Sequence, residues 1–534
     1  MRLSHRCIWG FVRPLWRVKH RLPRGYFMSF AMTQGVALLG IDGELVSIEA
    51  DVSKGLPSYQ LLGLPDAALN ESRDRIRSAI QNSKLNWPQN KITVSLSPAW
   101  LPKSGSGFDL PISIAILAAS GQIPINGLSE MILIGELSLE GTLKPIRGIL
   151  PMLLAAAKHG KKRAIIAIEN SAEASMIEDL EILPASNLSQ VVGFLIGTCQ
   201  LTPTSQRDVV EPNYNLDLSQ VAGQQTAKFG LEVAATGGHH LLMIGPPGTG
   251  KTMLAERLPS ILPRLSSFQA KQVAAIHSVA GTFDIGYVLE KRPPFIAPHH
   301  TTTTVAMVGG GGKIIRPGAC SLAHNGVLFI DEAPECGNGI LDSLRQPLES
   351  GVVEITRAIG SFVFPAQFML VLAANPCPCG RFSGKGRGCQ CTSLQVRRYL
   401  SKLSGPLLDR IDLRLKVDTP SRVELADNSP REGSAQIRAR VEKARQVATN
   451  RFASYNFSLN SQIPSELLRN RFKAQQKAMS ALHNLIDREE ITARGFHKLL
   501  RLCWSIADLR DVEIPGMEEL DIAMSLRSAT ELAA

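Results

Sequence analysis

LLMIGPPGTGKTMLAERL, residues 241 to 258, joins a short apolar run to a glycine-rich turn and then to a helical pattern. The turn has the spacing G-x-x-x-x-G-K-[ST] from Gly245 to Thr252. Glycines at this spacing let backbone N–H groups converge on a phosphate at the start of a helix, where the helix dipole adds attraction. The stretch therefore predicts a strand, a phosphate loop and a helix within an α/β core.

The same stretch predicts the residues that hold ATP and its metal. The Lys251 ammonium is expected to bridge the β- and γ-phosphates, and the Thr252 hydroxyl to bind Mg²⁺. The predicted nucleotide-binding set is Gly245, Pro246, Pro247, Gly248, Thr249, Gly250, Lys251 and Thr252, with Asp331 from further along the chain.

Two later apolar runs end in polar side chains, as buried parallel strands do when they deliver groups to one edge of a sheet. GVLFIDEAPE, residues 326 to 335, predicts Asp331 as a Mg²⁺ ligand and Glu332 as the residue that polarises the attacking water. FMLVLAAN, residues 368 to 375, predicts Asn375 as a group that orients water or contacts the γ-phosphate. The alternative for Asn375 is a turn-forming residue before Pro376.

Composition describes an ordinary globular chain of 534 residues. No apolar run reaches the ~18 residues of a membrane-spanning helix, so no membrane association is expected. The net charge of +11 depends largely on the first 27 residues, which carry seven Lys or Arg and no acid, and the remaining chain has +4. That leader is either a basic arm or an upstream extension of a protein that starts at Met28 or Met32. The scattered cysteines and the lack of a secretory pattern favour a reducing cytoplasm.

The order of patterns divides the chain into regions. We expect a basic leader over 1–31, a mixed α/β domain over 32–200, a polar linker over 201–216, the phosphate-loop α/β core over 217–420 and a helical region over 421–534. Within residues 65–83, Leu69, Ile76 and Ile80 fall on one helical face. The same periodicity predicts that Arg75 and its charged neighbours point to solvent.

NPCPCGRFSGKGRGCQC, residues 375 to 391, holds four closely spaced cysteines. Two Cys-x-Cys pairs predict a structural zinc site, although one intervening residue is fewer than the usual two to four. Reduced thiols without a metal, and a redox role, are the alternatives. Positive charges without any acid over 380–408 predict a phosphate-binding patch. The predicted zinc ligands are Cys377, Cys379, Cys389 and Cys391, and the patch includes Arg381, Lys385, Arg387, Arg397, Arg398 and Lys402.

GPPGTGKT, FIDE and Asn375 together resemble an AAA+ ATPase, and longer stretches narrow the resemblance. PFIAPHHTTTTVAMVGGGGKIIRPGACSLAHNGVLFIDE, residues 294 to 332, and SGPLLDRIDL, residues 404 to 413, resemble the magnesium-chelatase-like branch, specifically the ComM/YifB family. The resemblance runs from about residue 32 to the C-terminus. It implies that Arg410 is an arginine finger acting on a neighbouring subunit's nucleotide in a homohexamer, and that Arg494 is a second sensor.

The resemblance also implies a substrate. Members of this family are expected to act as DNA helicases that promote branch migration when incoming single-stranded DNA is integrated. Two insertions, residues 299–318 and a hairpin over 351–365, would point into the central channel of the ring, which makes Lys313, Arg316 and Arg357 candidates for DNA contact. The alternatives are a magnesium-chelatase motor subunit for metal insertion into porphyrin and a protein-remodelling AAA+ machine.

Residues 34–197 resemble the protease domain of Lon. The positions that correspond to the Lon nucleophile and its lysine are occupied by Asp109 and Leu150. A carboxylate next to an aliphatic side chain cannot supply an activated hydroxyl and a lysine base. The expected result is an inactive Lon-like domain retained for binding, assembly or DNA engagement, in a protein that is not a protease.

Overall fold

The computed structural model describes residues 29–63, 69, 71–103, 105–204, 216–312, 315–337, 339–357, 360–382, 388–426 and 429–527. The basic leader up to residue 28 and most of the predicted linker lie outside these ranges. In the part of the chain that is described, no helix is both long and apolar enough to cross a membrane.

The N-terminal part is built from a four-stranded sheet, in the order β1-β2-β4-β3, and a parallel sheet of β5, β8 and β9. Helix α2 is buried along its whole length and packs on β1 and β2. The strands are β1 Phe30–Leu39, β2 Asp42–Ser53, β3 Ser58–Leu62, β4 Lys91–Ser97, β5 Met131–Leu133, β6 Glu136–Leu137, β7 Leu143–Lys144, β8 Arg163–Ala167 and β9 Glu181–Ala185. The helices are α1 Ser72–Asn82, α2 Asp109–Ala119, α3 Ile149–Lys158, α4 Ser171–Ala174 and α5 Leu188–Leu195.

Helix α1 confirms the predicted apolar face at Ile76 and Ile80, which are fully buried, and Leu69, which precedes the described helix, is fully buried as well. The prediction that Arg75 points to solvent is wrong. Its guanidinium donates two hydrogen bonds, of 2.9 and 3.1 Å, to the carboxylate of Asp109. Asp109 begins the buried helix α2, so its charge needs a partner inside the fold. Helical periodicity identifies which face is polar, but it does not reveal a buried acid that is distant in sequence.

The phosphate-loop core follows with a five-stranded sheet in the order β11-β14-β17-β10-β18. Its strands are β10 Leu241–Ile244, β11 Phe295–Ile296, β14 Val327–Ile330, β17 Met369–Ala374 and β18 Leu413–Lys416, and the short strands β12 Gly309–Gly310, β13 Arg316–Pro317, β15 Val352–Arg357 and β16 Gly360–Pro365 form hairpins. Its helices are α6 Gln225–Gly237, α7 Lys251–Ile261, α8 Ser267–Ala280, α9 Ile285–Leu289, α10 Thr304–Val308, α11 Ala319–Leu322, α12 Ile340–Ser343, α13 Arg345–Ser350, α14 Ser393–Leu400, α15 Gly405–Leu408 and α16 Arg422–Ala426.

All neighbouring strands of the five-stranded sheet run parallel. Strand β10 lies between β17 and β18, and its side chains are buried, which explains its continuous apolar sequence. The carboxyl ends of β10, β14 and β17 meet at one edge of the sheet. Ligands bind at this edge in open α/β sheets, so the topology brings the three predicted functional segments together.

The predicted hairpin over 351–365 is confirmed, with β15 and β16 pairing antiparallel from Val352–Pro365 to Arg357–Gly360. The other predicted insertion, 299–318, holds helix α10 and the short β12–β13 pair. Both insertions share one apolar cluster that includes Met307, Ile355 and Phe364. The insertions are therefore anchored on the core.

The C-terminal part is helical, as predicted. Its helices are α17 Ser434–Arg451, α18 Ser465–Asn470, α19 Gln476–Asp487, α20 Ala493–Leu509 and α21 Met517–Ser525. Helix α20 is its centre, and the indole N–H of Trp504 donates to the Phe472 carbonyl oxygen at 2.9 Å. Asp508, also on α20, is buried and forms an ion pair with Arg451. Apolar residues of α20 and α17 join the same cluster as the central strands, so this part packs directly on the core.

Candidate nucleotide-binding site

The phosphate loop lies between strand β10 and helix α7, which confirms the predicted strand–loop–helix order. Gly245 allows the segment that follows strand β18 to approach closely, because a Cβ built there would lie 2.1 Å from the Val417 carbonyl oxygen. Gly248 and Gly250 adopt φ of +77° and +90°. No described atom beyond their chain neighbours lies within 4 Å of a Cβ built at either glycine. Their backbone is therefore accessible to a phosphate group, so the loop fits the ligand that its sequence predicts.

Lys251 is at the first position of α7, and its ammonium points back into the loop. It donates to the carbonyl oxygens of Gly245 at 2.6 Å and Pro246 at 2.9 Å, and to Asn375 Oδ1 at 3.2 Å. Burial lowers the pKa of Lys251, while the nearby carboxylates of Asp331 and Glu332 act in the opposite direction. The structure thus brings the phosphate-loop lysine and the amide at the end of β17 into direct contact.

The two residues predicted to bind Mg²⁺ also meet. The Thr252 hydroxyl donates to Asp331 Oδ2 at 2.8 Å, across 79 positions of sequence. The next residue, Glu332, adopts φ +49° and ψ +41°, a left-handed conformation that costs a non-glycine residue of the order of 1–3 kcal/mol. A hydroxyl and a carboxylate are oxygen ligands that suit Mg²⁺. The residues present therefore fit this metal.

Sequence reasoning missed one neighbour of Glu332. His300 Nδ1 lies 3.8 Å from Glu332 Oε2, and its ring packs in a tilted arrangement on that of His299, with centroids 4.1 Å apart. The distance exceeds a hydrogen bond, so the contact is attractive only when His300 is protonated. The sequence feature that could have indicated this contact is the His299-His300 pair. It follows strand β11, which lies next to strand β14, the strand that leads to Asp331.

Arg410 and Arg494 lie at the opposite edge of the sheet. Arg410 donates to Glu349 and to the Pro406 carbonyl oxygen, and it lines a cavity of about 700 Å³ at the amino-terminal ends of the strands. Arg494 forms an ion pair with Asp409 at 2.9 Å. The four residues of β10 span about 13 Å. Arg410 lies at the amino-terminal ends of the strands, so the length of a strand separates it from the phosphate loop of its own chain.

A buried polar network joins the helical part to this second edge. His239 Nδ1 lies 3.1 Å from Asp412 Oδ2, and its Nε2 lies 2.7 Å from the Ser505 hydroxyl. The Lys498 ammonium donates to the Ile411 carbonyl oxygen at 2.8 Å. Burial lowers the pKa of Lys498 to about 8, against the effect of Asp412. Helix α20, which carries Arg494, is therefore held to the segment that carries Arg410.

Two of the described candidates for DNA contact, Arg316 and Arg357, come together on the surface. Arg316 pairs with Gly310 across the β12–β13 hairpin. Arg357, at the end of β15, has its guanidinium 3.7 Å from a Cβ built at Gly310. Both arginines are exposed. Lys313 lies outside the described residues, so the structure does not place it.

The four cysteines form a compact cluster. All four Sγ atoms lie within 4.8 Å of one another, and three pairs are 3.3, 3.6 and 3.8 Å apart. Sulfurs in a tetrahedral zinc site with Zn–S of ~2.3 Å are about 3.8 Å apart. Disulfides need about 2.05 Å, and the clustered cysteines are free thiols. The donor set therefore fits a thiophilic metal.

Three of the basic residues near the cluster are exposed and can face an acidic ligand. They are Arg381, Arg397 and Arg398. Lys402 is also exposed, but its ammonium pairs with the Glu335 carboxylate at 3.7 Å. Lys385 and Arg387 lie outside the described residues. Among the described residues, the part of the predicted phosphate-binding patch that is open to a ligand therefore consists of these three arginines.

The Lon-like positions hold structural groups. Burial raises the pKa of Asp109 to about 6, while the ion pair with Arg75 acts against that rise. Leu150 is fully buried in α3. The nearby Ser106 hydroxyl donates to the Glu136 carboxylate. In the described residues, no lysine or histidine is hydrogen-bonded to Ser106.

Three family models match the chain in succession. Residues 48–170 match the model described as subunit ChlI of Mg-chelatase, residues 217–425 match magnesium chelatase, subunit ChlI, and residues 431–527 match magnesium chelatase, subunit ChlI C-terminal. The matches agree with the magnesium-chelatase-like AAA+ interpretation of the phosphate-loop core.

Curated relatives align over nearly the whole chain. An uncharacterised protein of Mycobacterium tuberculosis (strain H37Rv) is 44% identical over 500 residues, covering 94% of this chain and 99% of the relative. Competence protein ComM of Haemophilus influenzae is 41% identical over 512 residues, covering 95% and 99%. The uncharacterised protein YifB of Escherichia coli K12 is 41% identical over 506 residues, covering 95% and 98%.

A local similarity accounts for the N-terminal part. Lon protease of Rhizobium meliloti is 27% identical over 170 residues, covering 30% of this chain and 21% of that protein. The α/β fold, with its Lon-like N-terminal region, AAA+ core and C-terminal helices, agrees with the sequence prediction. The chain belongs to the ComM/YifB family of magnesium-chelatase-like AAA+ proteins.

Proposed function

We propose that this protein is an ATP-hydrolysing motor that acts on DNA, as a homohexameric helicase that promotes branch migration during recombination or natural transformation. The observation that carries the proposal is the arrangement of the phosphate-loop edge, where Lys251 contacts Asn375 and Thr252 contacts Asp331. The similarity to a competence protein over nearly the full length of both chains supports DNA as the substrate. We place the protein in the cytoplasm, where its thiols stay reduced.

The residues at this edge divide the chemistry of ATP hydrolysis. Lys251 and the N-terminus of α7 bind the phosphates, and Thr252 and Asp331 hold Mg²⁺, which neutralises charge on the β- and γ-phosphates when bound. Glu332 polarises the attacking water, and Asn375 orients it. Positioning and charge stabilisation are what a loose phosphoryl-transfer transition state requires.

The position of Arg410 supports a site shared between subunits. A planar cation near the γ-phosphate stabilises the charge that develops in the transition state. Arg410 and Arg494 lie across the sheet from their own phosphate loop, so they act on the nucleotide of a neighbouring copy in a ring. Arg494 forms an ion pair with Asp409, the residue before Arg410, so the two cations are held on neighbouring positions at this end of the sheet.

DNA contact is assigned to exposed cations that are not part of the predicted nucleotide-binding set. Arg316 and Arg357 occupy adjoining hairpins, and Lys313, three residues before Arg316 in the sequence, is proposed to act with them. Arg381 is exposed within the cysteine segment, and Lys385 and Arg387 follow it in the sequence as further proposed contacts. Such contacts are to phosphate, which suits a motor that moves along DNA without reading its sequence. The N-terminal domain serves binding or assembly and has no peptidase activity.

A magnesium-chelatase motor is the rival function that has a specific observation in its favour. All three matching family models are described as subunit ChlI of magnesium chelatase. We favour the DNA motor because ComM aligns over 99% of its own length. Remodelling of proteins is the third possibility, suggested by the local similarity to Lon protease.

The ATPase rate measured with different partners tests this assignment. We expect single-stranded and forked DNA to stimulate hydrolysis, because DNA bound by the hairpins couples to the same ring that hydrolyses ATP. A porphyrin with Mg²⁺ and an unfolded protein are the matched additions that report on the two rivals. Stimulation by either of these, with no response to DNA, would contradict the proposal.

The cysteine cluster adds a second metal to the proposal. We propose that Cys377, Cys379, Cys389 and Cys391 hold one structural Zn²⁺ as thiolates. The spacing of the sulfurs supports this assignment. Such a site contributes of the order of 10–16 kcal/mol of binding free energy to the folding of its loop.

A further inference from the structure

The cysteine cluster is adjacent to the phosphate loop, although more than a hundred residues separate them in sequence. Gly380 adopts φ +71° and touches the tip of the phosphate loop. A Cβ built at Gly380 would lie 2.6 Å from Cδ and 3.1 Å from Cγ of Pro247. Only a glycine can adopt this backbone conformation easily and leave Pro247 in place.

The turn that carries Gly380 is made by two of the cysteines. The Gly380 N–H donates to the Cys377 carbonyl oxygen at 2.9 Å, which closes the turn around Cys379. The Cys377 side chain is completely buried, whereas that of Cys379 is exposed. The turn is therefore fixed at one end by packing and at the other by the thiol cluster.

The same segment touches the phosphate loop at a second point. Asn375, two residues before Cys377, accepts a hydrogen bond from Lys251 at 3.2 Å. Pro247 and Lys251 are thus both contacted by residues 375–380. On the far side of the cluster, Cys391 is followed by a capping box in which Thr392 and Gln395 bond each other and begin helix α14. The cysteines join this helix to the segment that supports the phosphate loop.

We propose that the metal bound by the four thiolates sets the conformation of the phosphate loop, so that nucleotide affinity depends on metal occupancy. A metal that joins both Cys-x-Cys pairs holds the Cys377–Gly380 turn against Pro247. Without it, the turn gains conformational freedom, and ordering it again opposes nucleotide binding. The inference rests on the proposed nucleotide and zinc sites, and it adds that metal binding at the cysteines controls nucleotide binding at the phosphate loop.

The test compares zinc content and ADP affinity in full-length protein purified without chelators. Wild type should contain about one equivalent of zinc. The double variant Cys389→Ser/Cys391→Ser removes two thiols of the cluster that lie outside the Cys377–Gly380 turn. It should lose the metal and bind ADP at least about tenfold more weakly, while Cys199→Ser, outside the cluster, should match wild type.

A pair of glycine variants separates the contact from the metal. Gly380→Ala forces a methyl group onto Pro247, and it should keep zinc but bind ADP about tenfold more weakly. Gly388→Ala is the matched control, because Gly388 has φ +85° in the same cysteine segment and no described atom within 4 Å of its built Cβ, chain neighbours apart. It should keep both zinc and affinity. Retained zinc also shows that each variant has folded around the cluster.

The zinc site, its coupling to the phosphate loop and the proposed function are each contradicted by a different result. Wild type with less than about a tenth of an equivalent of zinc removes the metal site. The coupling is overturned if the double serine variant or Gly380→Ala binds ADP as tightly as wild type. If wild type itself binds no ADP, the proposed function fails.

Discussion

Replacing Lys251 by alanine should abolish nucleotide binding. The substitution removes the cation that faces the phosphates, and it leaves the Gly245 and Pro246 carbonyl oxygens without their donor. The measurement is thermal unfolding with and without Mg-ATP. A ligand at 100 times its Kd stabilises a folded protein by about 2.7 kcal/mol, and this stabilisation should disappear in the variant.

The control for this experiment is Lys271→Ala, which removes a half-buried lysine of helix α8 in the same core. It should show the full nucleotide-dependent stabilisation. If Lys251→Ala protein were stabilised by Mg-ATP as strongly as wild type, the phosphate-loop assignment would be lost.

Glu332→Gln and Arg410→Ala should both retain ATP binding and lose turnover, the second by on the order of 10³-fold. Glutamine keeps the shape of Glu332 but cannot polarise water as a carboxylate does. Removing the guanidinium leaves the developing charge unstabilised. Binding and steady-state hydrolysis of ATP, measured on each variant, separate these losses from a failure to bind.

Mixing the two inactive proteins tests whether the site is shared between subunits. In a mixed ring, some interfaces pair an intact Glu332 with an intact Arg410 from the neighbouring copy. Those interfaces should hydrolyse ATP, so the mixture should be more active than either variant alone. The absence of any rescue would argue against the assignment of Arg410 to the neighbour's nucleotide.

Features encoded by neighbouring residues were predictable from the sequence. The strand before Gly245, the helix from Lys251 and the strand before Asp331 follow from local patterns, and the parallel sheet follows from their order. The hairpin over 351–365 was predictable for the same reason. Where three strands end at one edge, topology alone brings their last residues together.

Contacts between distant segments were not predictable in this way. The Arg75–Asp109 ion pair joins helices in different parts of the N-terminal fold, and helical periodicity placed the arginine in solvent. The Arg494–Asp409 pair and the contact of Gly380 with Pro247 depend on how separate elements pack. A pattern in one segment carries no information about the shape of the surface that another segment presents to it.

ATP-driven strand displacement on forked and three-stranded DNA tests the central claim most directly. We predict that wild type displaces a strand from these substrates only when ATP is hydrolysed, and that Glu332→Gln protein displaces none under the same conditions. Wild-type protein that hydrolyses ATP but displaces no strand from either substrate would contradict the proposal that this chain is a DNA motor.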